Sequence, residues 1–171
     1  MFTRILVPLD GSDDAARAIP VAAELARRFG STLILLEVVT PGPERHLYAG
    51  ETGRPLDHDL ADAEEHAAEA AHRHLARIAA SLAPIPTEVE VRIGRPSLVI
   101  GESATENRCG LICMTAHGQG RRMLRQRHAE PRYQGHPVHW MLGGIADRVV
   151  HTSPVPVLIV RPDQSQPPEG A

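Results

Sequence analysis

The stretch that decides the fold is "RILVPLDGSDDAA", residues 4–16. It begins as a nearly unbroken apolar run, which is typical of a strand buried on both faces of a sheet. Asp10 and Gly11 then predict a turn, and Ser12 is a favourable N-cap for the helix that follows. The two aspartates after Ser12 stand at the positive end of that helix's dipole. A strand followed at once by a turn and a helix is the opening of a β-α-β unit.

Four further apolar runs predict four more strands, "TLILLEVV" (32–39), "TEVEVRIG" (87–94), "LICMTA" (111–116) and "VPVLIVRP" (155–162). The run at 87–94 alternates apolar and polar residues, which indicates a strand near the sheet edge. Helical patterns separate the runs: one after Ser12, one over 59–82, one after Pro96 and one over 144–151. Pro20 predicts a kink in the first helix. This alternation predicts a single-domain α/β fold: a Rossmann-like open sheet of five parallel strands with helices on both faces.

Three segments of different character divide the chain. We expect one domain over residues 1–162 and a disordered tail over 163–171, "DQSQPPEGA", which is too polar and proline-rich to pack. Inside the domain, residues 119–141 are a basic insertion that holds five arginines and a single acidic residue.

Composition excludes several classes of function. All 18 basic residues are arginine, so the chain has neither the lysine of a Walker-type phosphate loop nor that of a Schiff-base enzyme. A net charge of −3 and few aromatic residues argue against nucleic acid as a partner. Neither a signal-peptide pattern nor an apolar run long enough to span a bilayer is present, and the two cysteines, Cys109 and Cys113, lack partners for a zinc site. We therefore expect a cytoplasmic protein that binds no membrane.

Two turns carry the expected ligand site. In an open α/β sheet, ligands bind beyond the carboxyl ends of the strands, where the strand order reverses. The turn after the first strand, "PLDGSDD", and the turn after the fourth, "TAHGQG", both belong to that rim. If the two strands are neighbours, their turns face each other across one crevice.

These segments resemble the universal stress protein family over nearly the whole chain. The most specific parts are Pro8-Leu9-Asp10, His117-Gly118 and the closing "VVHTSPVPVLIVRP". The resemblance implies a strand order of 3-2-1-4-5 and a non-catalytic dimer that binds ATP or a related adenine nucleotide in a stress response. Mg²⁺ would accompany the nucleotide. The family also has members that do not bind nucleotide, so a protein that acts through protein partners stays open, and a slow ATPase is a third reading.

Members that bind ATP resemble one another in a G-x-x-G turn that is followed, nine residues later, by G-S or G-T. The first glycine position falls here on Thr115, and the closing pair is Gly143-Gly144, without the hydroxyl. From Gly118 to Gly143 the chain has 24 intervening residues, 119–142. All three departures bear on phosphate binding.

Phosphate binding remains possible with other groups. Backbone N–H groups at the start of the last helix form an anion site, and Gly118 and Gly120 could add a nest of N–H groups. Arg121, Arg122 and Arg125 would then make the insertion an anion-binding lid, unless it is a solvated flexible loop. By resemblance, Asp10 and Val38 contact the adenine and ribose, although Asp10 has the alternative of serving only its turn. The full candidate set is Pro8, Leu9, Asp10, Val38, Met114, Thr115, His117, Gly118, Gly120, Arg121, Arg122, Gly143 and Gly144.

Other chemistry is poorly supported. His58, Asp62 and His66 share a helical spacing that binds zinc in other proteins, but a surface helix rich in such residues produces it by chance, and we expect no metal site. The loop histidines His128, His136 and His139 are a second, equally weak set. Ser12 and Ser97 are not in a G-x-S-x-G turn, so we expect no nucleophilic catalysis.

The last strand indicates an assembly. Val155, Val157 and Ile159 point to one side and Leu158 and Val160 to the other, with no charge before Arg161. At a sheet edge, such a strand exposes unpaired backbone that a monomer normally blunts. We therefore expect a homodimer through this strand, as the resemblance also implies.

Overall fold

The computed structural model describes residues 2–40, 57–118, 132–133, 136–137 and 142–161. In chain order, its elements are β1 (Arg4–Leu9), α1 (Asp13–Ala16), α2 (Ala18–Phe29), β2 (Thr32–Val39), α3 (Asp57–Ser81), β3 (Thr87–Ile93), α4 (Pro96–Glu106), β4 (Leu111–Thr115), β5 (Arg132–Tyr133), β6 (His136–Pro137), α5 (Gly144–Thr152) and β7 (Val157–Val160). The tail at 163–171 and most of the insertion at 119–141 lie outside the described residues.

The main sheet has five parallel strands in the order β3-β2-β1-β4-β7. This confirms the α/β class and the order 3-2-1-4-5, since β7 is the fifth strand of this sheet. β3 lies at one edge, as its alternating pattern predicted, and β7 lies at the other. A short antiparallel pair, β5 and β6, forms within the insertion and was not predicted.

Apolar side chains on the two faces of the sheet form two core clusters. On one face, Ile5, Val7 and Leu9 of β1 pack with the alanines of α2 and with Leu75 of α3. On the other face, Leu6 packs with residues of α4 and α5 such as Val149. Helices therefore cover both faces, which explains why β1 reads as an unbroken apolar run.

The first helical pattern is two helices rather than one kinked helix. Ser12 caps α1 as predicted, because its Oγ accepts a hydrogen bond from the N–H of Ala15 at 3.1 Å. The helix is then interrupted at Arg17, and α2 begins at Ala18. Pro20 falls in the first turn of α2, where an N–H group has no intrahelical partner to lose. Because the helix is interrupted at Arg17, Pro20 is not in the interior of one long helix and does not kink it.

The last strand is shorter than the 155–162 predicted from its pattern. Ser153 Oγ donates to the carbonyl oxygen of Val155 at 2.6 Å and accepts from the N–H of Val155 at 3.2 Å. Val155 therefore belongs to a turn, and pairing with β4 begins at Val157. The alternation of side chains is nevertheless as expected: Val155, Val157 and Ile159 pack on one core cluster, and Leu158 and Val160 pack on the other.

A polar network ties α4 to the edge strand β3. Glu90 Oε2 accepts hydrogen bonds from Ser103 Oγ at 2.7 Å and from Asn107 Nδ2 at 2.8 Å. Arg92 pairs with the carboxylates of Glu90 and Glu106. These contacts hold α4 in a defined position over the sheet, and α4 begins at the carboxyl edge.

Across the described ranges, no helix is both long and apolar enough to span a membrane.

Candidate functional site

A cleft of about 770 Å³ opens at the carboxyl ends of β1 and β4. These neighbouring strands flank the point where the order of the sheet reverses, which is where ligands bind in open α/β sheets. The turns after both strands line the cleft, together with the end of β2 and the starts of α4 and α5. The two turns predicted to face each other across one crevice therefore do so.

Every predicted site residue that the structure describes lines this cleft: Pro8, Leu9, Asp10, Val38, Met114, Thr115, His117, Gly118, Gly143 and Gly144. Gly120, Arg121 and Arg122 lie outside the described residues, as does Arg125. That the lining residues contact a nucleotide remains a prediction.

Asp10 is engaged in its own turn. Its Oδ1 accepts hydrogen bonds from the backbone N–H of Ser12 at 3.0 Å and from Ser12 Oγ at 2.5 Å. Ser12 in turn caps α1, so the carboxylate, the turn and the helix start form one unit. The structural role considered for Asp10 is thus present, and the side chain lines the cleft as well.

Gly118 lies directly against that carboxylate. A Cβ atom added at Gly118 would lie 3.0 Å from Asp10 Cγ and closer still to Asp10 Oδ2. The backbone of Gly118 does not adopt a positive φ, so the close Asp10 side chain, and not the backbone conformation, favours glycine at this position. The turns after β1 and β4 therefore touch through a backbone–carboxylate contact, and a larger residue at position 118 would displace the Asp10 carboxylate.

Thr115 stands where the ATP-binding pattern has a glycine, and the turn after β4 accommodates its side chain. Its side chain is buried, and its Oγ1 donates a hydrogen bond to the carbonyl oxygen of His117 at 2.6 Å. The hydroxyl thus stabilises the turn after β4 from within.

Gly143 joins the start of α5 to the same turn. Its N–H donates to the carbonyl oxygen of Ala116 at 2.8 Å, and an added Cβ would lie 3.2 Å from that oxygen. The N–H of Gly143 is therefore already bonded. An anion at this helix start would be bound by the next three N–H groups, those of Gly144, Ile145 and Ala146, because the N–H of Asp147 already donates to the carbonyl oxygen of Gly143 at 2.8 Å.

Glu37 is a cleft residue that the sequence reasoning missed. It lies on β2 opposite Leu9 and lines the cleft half-buried. Its Oε2 is buried and has no hydrogen-bond partner among the described residues. Burial raises the pKa of this carboxyl, Asp10 raises it further, and His74 opposes both. A signal was available, because Glu37 is the only charged residue in the run "TLILLEVV".

Ser97 is another cleft residue that the sequence reasoning missed. The sequence reasoning considered it only as a nucleophile, whereas the structure places it in the cleft wall at the start of α4. Its neighbours in the wall include Pro96 and Ile100. No spacing in the sequence indicates this, because the position depends on how α4 crosses the sheet.

In the part of the chain that the structure describes, no group of three or more potential metal ligands lies together. His66 Nδ1 contacts the carbonyl oxygen of Asp62 at 2.5 Å, and the side chain of His58 is outside the description. Cys109 and Cys113 are free and buried, and burial raises the pKa of each to about 11. Both are therefore protonated near neutral pH and poor nucleophiles.

Known proteins are similar to this chain in sequence and in structure. The model of the universal stress protein family matches residues 1–161. A Thermus aquaticus protein named "Universal stress protein in QAH/OAS sulfhydrylase 3'region" is 31% identical over 164 residues, covering 94% of this chain and 100% of the relative. Universal stress protein UspA from Lactobacillus plantarum is similar in structure, with a TM-score of 0.66, 26% identity, and coverage of 94% of this chain and 98% of its own.

Two more distant structures share the fold. A universal stress protein in complex with cAMP has a TM-score of 0.59 and 21% identity, covering 92% of this chain and 96% of its own. A universal stress protein family protein from Arabidopsis thaliana with AMP bound also has a TM-score of 0.59, with 14% identity, covering 98% of this chain and 97% of its own.

Proposed function

Because the chain belongs to the universal stress protein family, we propose that it binds an adenine nucleotide of the ATP or AMP type in the cleft between β1 and β4. In this proposal the protein acts without catalysis, as a homodimer in the cytoplasm, in a response to stress. The two free buried thiols are consistent with that compartment, in which disulfides are rare.

The observation that carries the proposal is the build of the cleft. Its volume of about 770 Å³ is within the range of small-molecule sites. Pro8, Val38 and Met114 supply apolar surface suited to a planar base. In this proposal, the backbone N–H groups of Gly144, Ile145 and Ala146 at the start of α5 would bind the phosphate. Apolar and anion-binding regions in one cleft match the two chemical parts of a nucleotide.

The ligands of structural relatives support the same class. One related structure is a complex with cAMP and another has AMP bound, and both molecules combine adenine with phosphate. Mg²⁺ would arrive with a triphosphate, because this ion is held mainly through phosphate oxygens and needs few protein ligands.

The experiment is to release and identify bound nucleotide. Purified protein is heated, and the supernatant is examined by absorbance and mass spectrometry. ATP, AMP and cAMP are then titrated into stripped protein by calorimetry. Val38→Trp should fill the apolar half of the cleft and weaken binding at least tenfold. Leu98→Trp, which places the same ring on an exposed part of α4, should bind as the parent does.

The competing function is that of a family member that has lost nucleotide binding and works through protein partners. Thr115 and Gly144, which depart from the ATP-binding pattern, favour it. Protein that carries no adenine nucleotide, and that gives no heat with any of the three ligands, would establish this alternative against our proposal.

The basic insertion enters the proposal as a lid over the phosphates. Its arginines would supply the charge that replaces the missing hydroxyl at Gly144. An Arg121→Ala/Arg122→Ala variant should then bind ATP more weakly than the parent, while its affinity for adenosine should be unchanged. Equal ATP affinity would remove these two arginines from the site.

The dimer would form through β7. This strand is the sheet edge, and its outer backbone groups have no strand partner in the described chain. Two copies of β7 related by a two-fold axis would satisfy those groups and cover Val157 and Ile159.

A further inference from the structure

Glu37 places a half-buried carboxyl group at the end of β2, on the side of the sheet that α3 covers. Side chains along β2 alternate between the two core clusters: Leu35 belongs to the cluster that includes Leu75 of α3, and Leu36 belongs to the other. Glu37 follows Leu35 by two residues, so its side chain lies on the α3 side. It lines the cleft there, as Ala67 of α3 also does. The carboxyl group therefore stands between the sheet, α3 and the ligand cleft.

The neighbours of Glu37 leave one oxygen of its carboxyl group uncompensated. Among the described residues, the buried Oε2 has no hydrogen-bond partner. The residues paired with Glu37 on the adjacent strands are Leu9 of β1 and Val91 of β3, and both are apolar. Removing an ionised carboxylate from water costs much more free energy than removing the neutral acid, so this environment favours the protonated form. Burial accordingly raises the pKa of Glu37.

Two charged side chains on other elements act on this carboxyl group in opposite directions. His74, which is half-buried on α3 next to Leu75, lowers the pKa of Glu37, whereas Asp10 in the rim turn raises it. Burial outweighs His74, because the net effect is a raised pKa. Since the proton occupancy of Glu37 depends on these opposing charges, a further charge that enters the cleft changes it.

The charges of the cleft lining indicate the direction of that change. Of the described lining residues, Arg148 of α5 carries a permanent positive charge, and Asp10 and Glu37 carry carboxyl groups. Arg148 balances only one carboxylate, and the phosphate of a nucleotide adds further negative charge. Like charges in one cleft disfavour ionisation. Asp10 Oδ1 accepts two hydrogen bonds from Ser12, whereas Glu37 Oε2 accepts none among the described residues, so Glu37 is the carboxylate that would take up a proton.

We propose that Glu37 couples nucleotide binding to pH. When an anionic nucleotide enters the cleft, this carboxylate takes up a proton from solvent, and the protein therefore binds the nucleotide more tightly in mildly acidic solution. The inference rests on the proposed nucleotide site and names a regulation of it. Coupling between two bound species is reciprocal, so the nucleotide strengthens proton binding by the same factor by which the proton strengthens nucleotide binding.

The test measures the affinity for ATP, AMP and cAMP by calorimetry, at mildly acidic and at mildly alkaline pH, in the parent and in Glu37→Gln. Glutamine keeps the shape of the protonated carboxyl group but does not ionise. At alkaline pH the variant should bind a nucleotide roughly five- to tenfold more tightly than the parent, within the usual range for coupling between two sites. At acidic pH the two proteins should bind alike. Mg²⁺ is left out, because it would neutralise phosphate charge.

The same comparison isolates the proton that Glu37 takes up. Calorimetry in buffers with different ionisation enthalpies counts the protons that are bound together with the nucleotide. Protons on the phosphate, and on His117, which also lines the cleft, contribute to the count in both proteins. The difference between the two proteins therefore belongs to Glu37. Near neutral pH, the parent should take up more protons than Glu37→Gln.

His74 supplies a second variant, whose effect has a defined direction. Without the positive charge of His74, Glu37 binds its proton more readily, so the pH at which nucleotide affinity falls should be higher in His74→Gln than in the parent. His72→Gln, on an exposed side of the same helix, is the matched control and should leave that pH unchanged.

The outcomes separate the coupling from the site itself. A parent that binds none of the three nucleotides overturns the nucleotide site and this inference with it. A parent that binds a nucleotide at alkaline pH as tightly as Glu37→Gln does, or more tightly, leaves the site in place and refutes the role of Glu37.

Discussion

The contact between Gly118 and Asp10 makes the two rim turns one unit, and Gly118→Ala tests it. The new methyl group would lie 3.0 Å from Asp10 Cγ and closer still to Oδ2, so the carboxylate must move. Any such movement strains its hydrogen bonds to the N–H and Oγ of Ser12. Overpacking of this kind typically costs about 1–3 kcal/mol, and we expect about 2 kcal/mol. For a domain of this size, that lowers the melting temperature by roughly 4–8 °C.

A double-mutant cycle isolates the contact. In an Asp10→Ala background the carboxylate is gone, so adding Gly118→Ala should cost less than about 0.5 kcal/mol, with the free energy of unfolding measured in urea. Gly144→Ala is the matched control, because an added Cβ there meets nothing within 4 Å and stability should change little. If Gly118→Ala costs the same in both backgrounds, the two turns do not press on each other as described.

Three further predictions concern the turn after β4, the buried carboxyl and the sheet edge. Thr115→Val keeps the shape but loses the bond to the carbonyl oxygen of His117, so it should lower the free energy of unfolding by about 1 kcal/mol, while Thr115→Ser should stay near the parent. Burial raises the pKa of Glu37, so the folded state holds the proton of this carboxyl more tightly than the unfolded chain does. The free energy of unfolding of the parent should therefore fall as pH rises from the usual glutamate pKa through the raised value. This fall should be smaller in Glu37→Gln, which has no carboxyl to titrate. The free energy of unfolding of both proteins is measured by urea titration across that pH range. If it depends on pH in the same way for both, the raised pKa of Glu37 is contradicted. Val157→Lys should convert a dimer to a monomer in light scattering at micromolar concentration, and a parent that is already monomeric would exclude pairing through β7.

Local chemistry made most of the fold predictable. The apolar runs at β1, β2 and β4 identify strands buried on both faces, because helices cover the sheet on each side. Ser12 is recognisable as an N-cap from its neighbours alone. The break at Arg17 was less visible, since a proline such as Pro20 is compatible either with a kink or with a new first turn. Only the packing of α2 on the sheet distinguishes the two.

The candidate site was predictable only where it follows strands. The cleft residues after β1 and β4 were found because the carboxyl ends of neighbouring parallel strands must share one edge. Glu37 and Ser97 were not found, because no motif marks them: Glu37 is distinguished by a buried Oε2 without a partner among the described residues, and Ser97 by a position that depends on how α4 packs. Val155 was assigned to the last strand for a similar reason: its pattern is that of a strand, but Ser153 takes both of its backbone groups.

By itself, the sequence determined the alternation of buried strands and helices, the turn residues at the rim and the family to which the chain belongs. These follow from periodicity and capping, which act over a few neighbouring residues. Only the tertiary structure decided that Gly118 lies against the Asp10 carboxylate, that Thr115 supports its own turn, and that Ser97 and Glu37 reach the cleft. Such properties depend on the distances between residues far apart in the chain, and those distances exist only once the helices have packed on the sheet.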